Sequence, residues 1–305
     1  MTMLVGDMPS SQVWGAVEWN GTVFCTLAQH AAVAATSPDG INWTPQVLPS
    51  ANGWRGLAWN GSIFCAISNN LIPGESVVIT SPDGVTWTEQ TGPDVNFHSD
   101  GMAWGGGLFC AGDNDGNTNI TSPDGVAWTN HYLPANKTWG KIAWNGTNFC
   151  LATQGTSDNF VVTSPNGHDW TTRALPVTSA WGAVEGSGGR FFLLNSIGPG
   201  AHSLYLLSVD GISWVVGTLP EVKHWNYVKW NGYFYCVVPS ILSDRVAISP
   251  DGISWSMRTL PISDTWTSIT ANNTHFIILS NTHSVIIDEF SPFWTNFHSQ
   301  SEILA

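Results

Sequence analysis

A chain of 305 residues, 43% hydrophobic and only 10% charged, has ample material for a core and a surface covered mostly by neutral polar side chains. Nine Lys plus Arg against twenty-two Asp plus Glu give a formal net charge of -13, which repels phosphate backbones and anionic membranes and argues against nucleic acid as a partner. No apolar run approaches the roughly 18 residues that span a bilayer, and Met1 to Pro9 lacks the basic-then-apolar pattern of a signal peptide, so neither membrane insertion nor the usual secretory route is expected.

The first element, residues 1–9, ends in Met8-Pro9. A Leu-Pro pair takes the same place before later tryptophans, at Leu48-Pro49, Leu133-Pro134, Leu175-Pro176, Leu219-Pro220 and Leu260-Pro261, and marks a crossing from one unit to the next. Residues 1–9 therefore look like the end of a fourth strand that lies against the last unit and closes a ring, since an uncovered edge invites aggregation. The next phrase, Trp14 to Cys25, runs Trp, an alternating stretch, a second Trp, an Asn-Gly turn and a Phe-Cys strand. It returns at Trp54 to Cys65, Trp139 to Cys150 and Trp225 to Cys236, with looser copies at Ser99 to Cys110, Trp181 to Phe192 and Trp266 to Ile277. The residue three places after the first Trp is apolar in every copy (Val17, Leu57, Met102, Ile142, Val184, Val228, Ile269), so one face of this strand is core. Asn20-Gly21, Asn60-Gly61, Asn145-Gly146 and Asn231-Gly232 predict two-residue hairpin turns with positive φ.

The cysteines Cys25, Cys65, Cys110, Cys150 and Cys236 share one repeat position, filled elsewhere by Phe192 and Ile277, so the place wants a small or apolar buried side chain. Facing sheets lie about 10 Å apart and a disulfide needs Cα atoms within about 7 Å, so five reduced thiols in a reducing cytoplasm are expected. A loop of variable length then leads to a β-branched third strand and a serine turn. Ser37-Pro38-Asp39-Gly40-Ile41-Asn42-Trp43 recurs as Ser81 to Trp87, Ser122 to Trp128, Ser164 to Trp170, Ser208 to Trp214 and Ser249 to Trp255. Ser291-Pro292 with Phe297 reads as a worn seventh copy. A period of about 40 to 45 residues is that of one four-stranded propeller blade. The expected architecture is all-β, a single seven-bladed β-propeller of four-stranded antiparallel blades, with units at approximately 10–49, 50–93, 94–134, 135–176, 177–220, 221–261 and 262–305.

The serine turn resembles the Asp-box of bacterial-neuraminidase-type repeats, and the whole unit is similar to the repeats of tailed-phage and prophage virion propellers. The box pattern is carried by Ser37, Asp39 and Trp43, Ser81, Asp83 and Trp87, Ser122, Asp124 and Trp128, and Ser249, Asp251 and Trp255; Asn166 and Phe293 depart at the Asp position. The resemblance implies that the box lies between a blade's third and fourth strands, with Ser and Asp bonding turn amides and the aromatic packed beneath. Carboxylates dispersed around a ring, as Asp39, Asp83, Asp124, Asp210 and Asp251 would be, do not converge on one reacting atom, so their role is structural. Seventeen of the eighteen tryptophans fall into three repeat columns and are architectural by position; Trp294 stands outside them.

Departures from the repeat are the functional clues. Four residues after the first Trp the chain has Glu18, Ala58, Ala103, Ala143, Glu185, Lys229 and Thr270, so charge appears in three units only, near the expected central channel. Arg55 and Tyr227 are the arginine and the tyrosine on first strands, and with Glu18, Glu185 and Lys229 they form the candidate binding set. Sialidases need an arginine trio, a Tyr nucleophile with its Glu and an acidic Asp. Arg173 and Arg258 on fourth strands, Arg190 in a hairpin turn and Arg245 before a third strand cannot meet Arg55 at the axis, so that activity is disfavoured. Asp113, Asp115 and Asn117 place oxygens at alternate positions like the start of a calcium loop, without its closing Glu, and an Asx-rich turn is the default. The nine histidines show no metal-binding spacing, and no cofactor is expected.

The variable loops at Asn69 to Glu75, Asp113 to Asn119, Gln154 to Asn159, Gly198 to Ser203 and Ser240 to Arg245 carry the chain's individuality. The leading expectation is a non-enzymatic phage or prophage virion module, made in the bacterial cytoplasm and carried on a tail, fibre or capsid, which docks other virion proteins or a host cell-surface glycan. A glycan-binding lectin is the alternative. A glycoside hydrolase using Glu18 and Glu185 is the third, because such enzymes need two carboxylates about 5 to 10 Å apart.

Overall fold

A computed structural model of the chain describes residues 2–69, 76–93, 97–114, 116–154, 157–196 and 202–288. Every regular element among them is a β-strand, and the strands make seven antiparallel blades of four. Blade 1 runs Trp14–Trp19, Phe24–Ala28, Ala31–Ser37 and Thr44–Asn52 from axis to rim. Blades 4 and 5 share the strand Thr171–Ser187, whose first half pairs with Ser157–Ser164 and whose second half pairs with Arg190–Asn195. Ser256–Ala271 joins blades 6 and 7 in the same way. The Leu-Pro pair thus lies inside the fourth strand. Its Leu is buried in every copy, and its Pro is tolerated because this strand is the outer edge of the blade.

Both faces of each blade are covered by neighbouring blades, which is why second strands such as Phe24–Ala28 and Phe149–Thr153 are buried at every residue. Seven hydrophobic clusters result, one in each inter-blade seam. Each seam is centred on a first-strand residue, Trp14, Trp54, Trp139, Trp181, Trp225 or Trp266, buried to 1% exposure or less, with Phe97 in the seam of blade 3. A buried Trp removes on the order of 200 Å² from water, at about 25 cal/mol per Å², so these side chains dominate the seams. The Trp that precedes the hairpin in five blades is half-buried and packs on the following aromatic, as Trp19 does on Phe24 at 4.3 Å between ring centroids.

The serine turn ties each blade to the one before it. In the second copy Ser81 Oγ donates to Asp83 Oδ1 at 3.1 Å and accepts from the Gly84 amide at 2.8 Å, while Asp83 Oδ1 accepts the Val85 and Thr86 amides, both at 2.8 Å. This tight turn holds Gly84 at φ +77, where a methyl group would come within 3.2 Å of Cys25 Sγ and 3.0 Å of Thr36 Cγ2 on blade 1. Gly125 presses on Cys65 and Gly167 on Cys110 in the same way. The cysteine column is therefore small because the next blade's turn sits on it. All five cysteines are buried and none forms a disulfide, and burial raises the Cys110 thiol to about 12.

Residues 2–7 supply the fourth strand of blade 7, pairing antiparallel with His283–Asp288 from Thr2↔Asp288 to Asp7↔His283. Blade 1 then locks onto blade 7. Trp43 Nε1 donates to Ser284 Oγ at 3.1 Å, Ser284 Oγ donates to the Gly40 carbonyl at 2.7 Å, and Ser268 Oγ donates to the Trp14 carbonyl at 3.1 Å.

Three expectations need correction. The Asn-Gly hairpins are four-residue loops rather than two-residue turns. Trp19 pairs with Phe24, only Gly21 has positive φ, and Asn20 Oδ1 caps the Thr22 and Val23 amides at 2.9 and 2.8 Å. Two-residue turns with both glycines at positive φ occur instead at Gly106-Gly107 and Gly188-Gly189. Second, Ile287 faces Phe276 where the other blades place the turn serine opposite this aromatic, so register assigns that place to Ile287; Ser291, Phe293, Trp294 and Phe297 lie outside the described residues. Third, the variable loops are shorter than drawn, because third strands begin at Gly116, Ser157, His202 and Leu242.

Two tests follow from this architecture. Deleting residues 1–9 leaves blade 7 with three strands and removes Met8 from the closing seam, and it is expected to abolish cooperative thermal unfolding monitored by circular dichroism; a truncated chain with the full-length Tm refutes ring closure by this strand. The amide bonds from Thr86 first, then Val85, with the Ser81 hydroxyl, hold Asp83 below the ordinary carboxylate range against partial burial, so its stabilisation is present above the unfolded value near 3.9 and is lost as pH falls through the lowered folded value. Asp83→Ala is expected to cost on the order of 1 kcal/mol at neutral pH, like loss of a helix N-cap, and Asp83→Asn far less, since Asn166 makes the same bonds in the fourth turn. Urea midpoints of the two variants check this.

Candidate functional site: an axial channel with two polar mouths

The seven first strands converge on the axis, and the seven apolar residues three places after the first Trp all line its narrow middle, a cavity of about 160 Å³. The core face predicted for this strand is thus an apolar collar around the axis. Polar groups collect above and below it, in cavities of about 380 Å³ and 190 Å³.

The smaller cavity opens on the hairpin side and gathers Glu18, Glu185 and Lys229 among Ala58, Ala103 and Ala143, as the column of departures predicts. Lys229 Nζ lies 3.8 Å from Glu185 Oε2, and Glu185 Oε1 also accepts from Ser187 Oγ at 3.1 Å and from the Trp230 amide at 3.3 Å. The Glu185 charge beside it holds the Lys229 ammonium above its usual range, with Glu18 adding to the effect against burial. Burial raises Glu18 above the ordinary carboxylate range, aided by Glu185; Lys229 and the Trp19 amide oppose it. This mouth thus holds one carboxylate paired with the lysine and one raised above its usual range by burial.

Arg55 and Tyr227 stand at the opposite mouth, on the side of the variable loops, so the five sequence-predicted residues form two groups rather than one. First strands carry a β-bulge just after the leading Trp, at Trp54/Gly56 and Trp225/Tyr227 for example. The bulge breaks the alternation, so residues one and two places after the Trp both reach this cavity. Arg55 Nη1 lies 3.0 Å from Asp100 Oδ1, which also accepts from Asn69 Nδ2 at 2.6 Å, while Asp100 Oδ2 accepts from Asn114 Nδ2 at 2.9 Å. Lys141 Nζ donates to the Asp100 carbonyl. Burial lowers the Lys141 ammonium, with Asp100 opposing and Arg55 assisting, and burial raises the Tyr227 phenol. Gln29, Gln154, Ser196, Asn226 and Thr267 complete the wall.

Asp100 and Lys141 were not among the predicted residues. Asp100 follows Ser99, which replaces the leading Trp in the loosest copy, and Lys141 falls in a column otherwise holding Ala16, Gly56, Gly101, Ala183, Tyr227 and Ser268. Comparing the columns one and two places after the Trp, as was done for the column of Glu18, exposes both.

The remaining candidates sit elsewhere. Arg173 donates to Thr163 Oγ1, Arg190 opens a second strand and donates to the Asp251 carbonyl, and Arg245 lies within a third strand paired with Glu221, so Arg55 is the arginine of the axial cavities. Asp113 Oδ2 accepts from Thr118 Oγ1 at 3.0 Å, a side-chain bond across the loop, and Asp115 lies outside the described residues. No group of three metal-ligating side chains occurs among the described residues.

No protein-family model and no curated protein matches the sequence. Solved structures do resemble the fold. Virginiamycin B lyase from Staphylococcus aureus superposes with a TM-score of 0.78 at 10% identity over 94% of this chain and 100% of that one. YCF48 bound to a D1 peptide gives 0.73 at 11% identity over 94% of each chain. The WD40 propeller domain of Doa1 gives 0.69 at 12% identity over 94% and 96%. At such identities the likeness shows the propeller fold.

Because the raised value of Glu18 means that the folded state holds its proton more tightly, stability falls as pH rises from the unfolded value near 4.3 through the folded one. Glu18→Gln is expected to raise Tm at pH 7 and to leave it unchanged at pH 4. A lower Tm at pH 7 would show that the Glu18 charge is stabilising in place.

Proposed function

We propose that this protein is a non-enzymatic module of a phage or prophage virion, a rigid propeller of Asp-box type that docks another virion protein or a host surface receptor through its variable-loop face. The supporting observation is the repeat unit, whose phrases run nearly the length of the chain and resemble those of tailed-phage propellers. The axis agrees with a binding role: Asp100 is held by three side chains and Glu185 by a lysine, a hydroxyl and an amide, so these groups shape a surface instead of being poised on a reacting atom. The peptide complex of YCF48 is a precedent for a propeller that engages a protein partner. The staphylococcal lyase is the enzymatic precedent, and a histidine-to-alanine variant of it is described as catalytically inactive. Among the described residues, no histidine lines the three axial cavities here.

A hydrolase using Glu18 as acid and Glu185 as base is the competing reading, favoured by their unequal environments. The two are separated by mass spectrometry of purified virions together with incubation of host surface polysaccharide with the pure protein. The expected result is the protein in the particle and no release of reducing ends. Absence from virions, or turnover abolished by Glu18→Gln or Glu185→Gln, overturns the proposal.

A further inference from the structure

Among the described residues, the loop-side mouth has more hydrogen-bond donors than acceptors bonded to them. An ammonium carries three donors and a guanidinium five. Lys141 gives one bond to the Asp100 carbonyl and Arg55 one to Asp100 Oδ1, and the other donors meet no acceptor among the described residues. Asp100 is the carboxylate lining this cavity, is nearly buried, and already accepts from Arg55, Asn69 and Asn114. Among the described residues, two cations face one occupied anion, a local positive excess in a chain of net charge -13. Such an excess of donors in a concave site is matched by a ligand anion.

The rest of the wall narrows the ligand. The cavity, about 380 Å³, falls within the range of about 300–1,000 Å³ usual for small-molecule sites. Its rim presents the amides of Gln29, Gln154 and Asn226 and the hydroxyls of Ser196, Thr267 and Tyr227, which pair with hydroxyl groups, whereas a peptide side chain would meet little apolar surface. Ser196 Oγ and Gln154 Oε1 are buried without a partner, and they leave a donor and an acceptor for a polyhydroxylated ligand. Beneath the mouth the channel narrows to the apolar collar around a cavity of about 160 Å³.

We propose that the loop-side mouth of the channel binds one acidic sugar unit, with Arg55 and Lys141 holding its carboxylate and the rim amides and hydroxyls holding its hydroxyl groups. The inference rests on the receptor-docking reading and names the receptor chemistry as an acidic glycan.

Isothermal titration of the full-length protein with glucuronate, glucose and N-acetylglycine tests it. Glucuronate should bind saturably, and glucose and N-acetylglycine at least about tenfold more weakly, since each lacks part of the match. Arg55→Gln and Lys141→Met should each weaken glucuronate at least about tenfold, while Val47→Ala on the outer rim binds as wild type. If Lys141→Met fails to fold by circular dichroism, Arg55→Gln, whose side chain is 40% exposed, carries the test. Equal affinity for glucuronate and glucose, unchanged binding by Arg55→Gln, or preference for N-acetylglycine overturns the proposal, the last by assigning the mouth to peptide carboxylates. Absence of glucuronate binding by a protein that is present in virions overturns the sugar and leaves the docking module standing; glucuronate binding by a protein absent from virions does the reverse.

Discussion

The contact on which the ring depends is the one between a serine-turn glycine and the preceding blade. A turn that spends its Ser and Asp side chains on its own amides is rigid, and its glycine at positive φ brings backbone within van der Waals reach of the neighbouring second strand. The seam can then close only if that strand offers a small or yielding side chain. Cys25, Cys65 and Cys110 meet that need, and Ile277 takes Gly40 in the closing seam, where a methyl on the glycine would lie 2.5 Å from Ile277 Cδ1. Propellers have no central core, so stability is distributed over seams, and one unsealed seam exposes two blade faces. The N-terminal strand and the Trp43–Ser284 bond therefore matter out of proportion to their size.

Closure also dictates what the axis can hold. Seven first strands arrive side by side, and the side chains in the middle of each face one another across the axis, so the middle column is uniformly apolar and narrows the channel. Charge is tolerated only where the strand leaves this collar. On the hairpin side alternation admits one residue per strand, and small alanines in three blades make room for Glu18, Glu185 and Lys229. On the loop side the bulge admits two, and the wall becomes denser in polar groups. The two mouths consequently differ in sign: two glutamates and a lysine at one, an arginine and a lysine around one aspartate at the other.

The blade count, the burial of the cysteines and the tryptophan columns were legible in the sequence because each repeats, and repetition separates architecture from accident; the strand that closes the ring was only suggested, by Met8-Pro9 standing where later units carry Leu-Pro. Turn geometry was less legible. Asn-Gly is the strongest short hairpin signal, yet Asn20 acts as a cap on two amides, and the two-residue turns went to Gly106-Gly107 and Gly188-Gly189. The candidate site was half visible. Glu18, Glu185 and Lys229 share a column and share a mouth, whereas Arg55 and Tyr227 fall in different columns and meet only because a bulge turns consecutive residues the same way. Asp100 was missed because only the columns three and four places after the leading residue were compared, and it lies one place after Ser99.

That missed residue decides how the loop-side mouth is to be understood. Were Arg55 and Lys141 present merely to offset Asp100, one cation would suffice, and a second, whose ammonium is lowered by burial, would be a cost with no return. The bonds from Asn69 and Asn114 show what Asp100 does instead: it is fixed by the loops themselves, and it in turn fixes the guanidinium and, through its carbonyl, the ammonium. The asparagines come from the loops after second strands, the elements that vary from blade to blade. The variable part of the molecule thus reaches inward to orient two cations at the axis, and a scaffold built from seven near-identical units acquires one direction in which it is not symmetric.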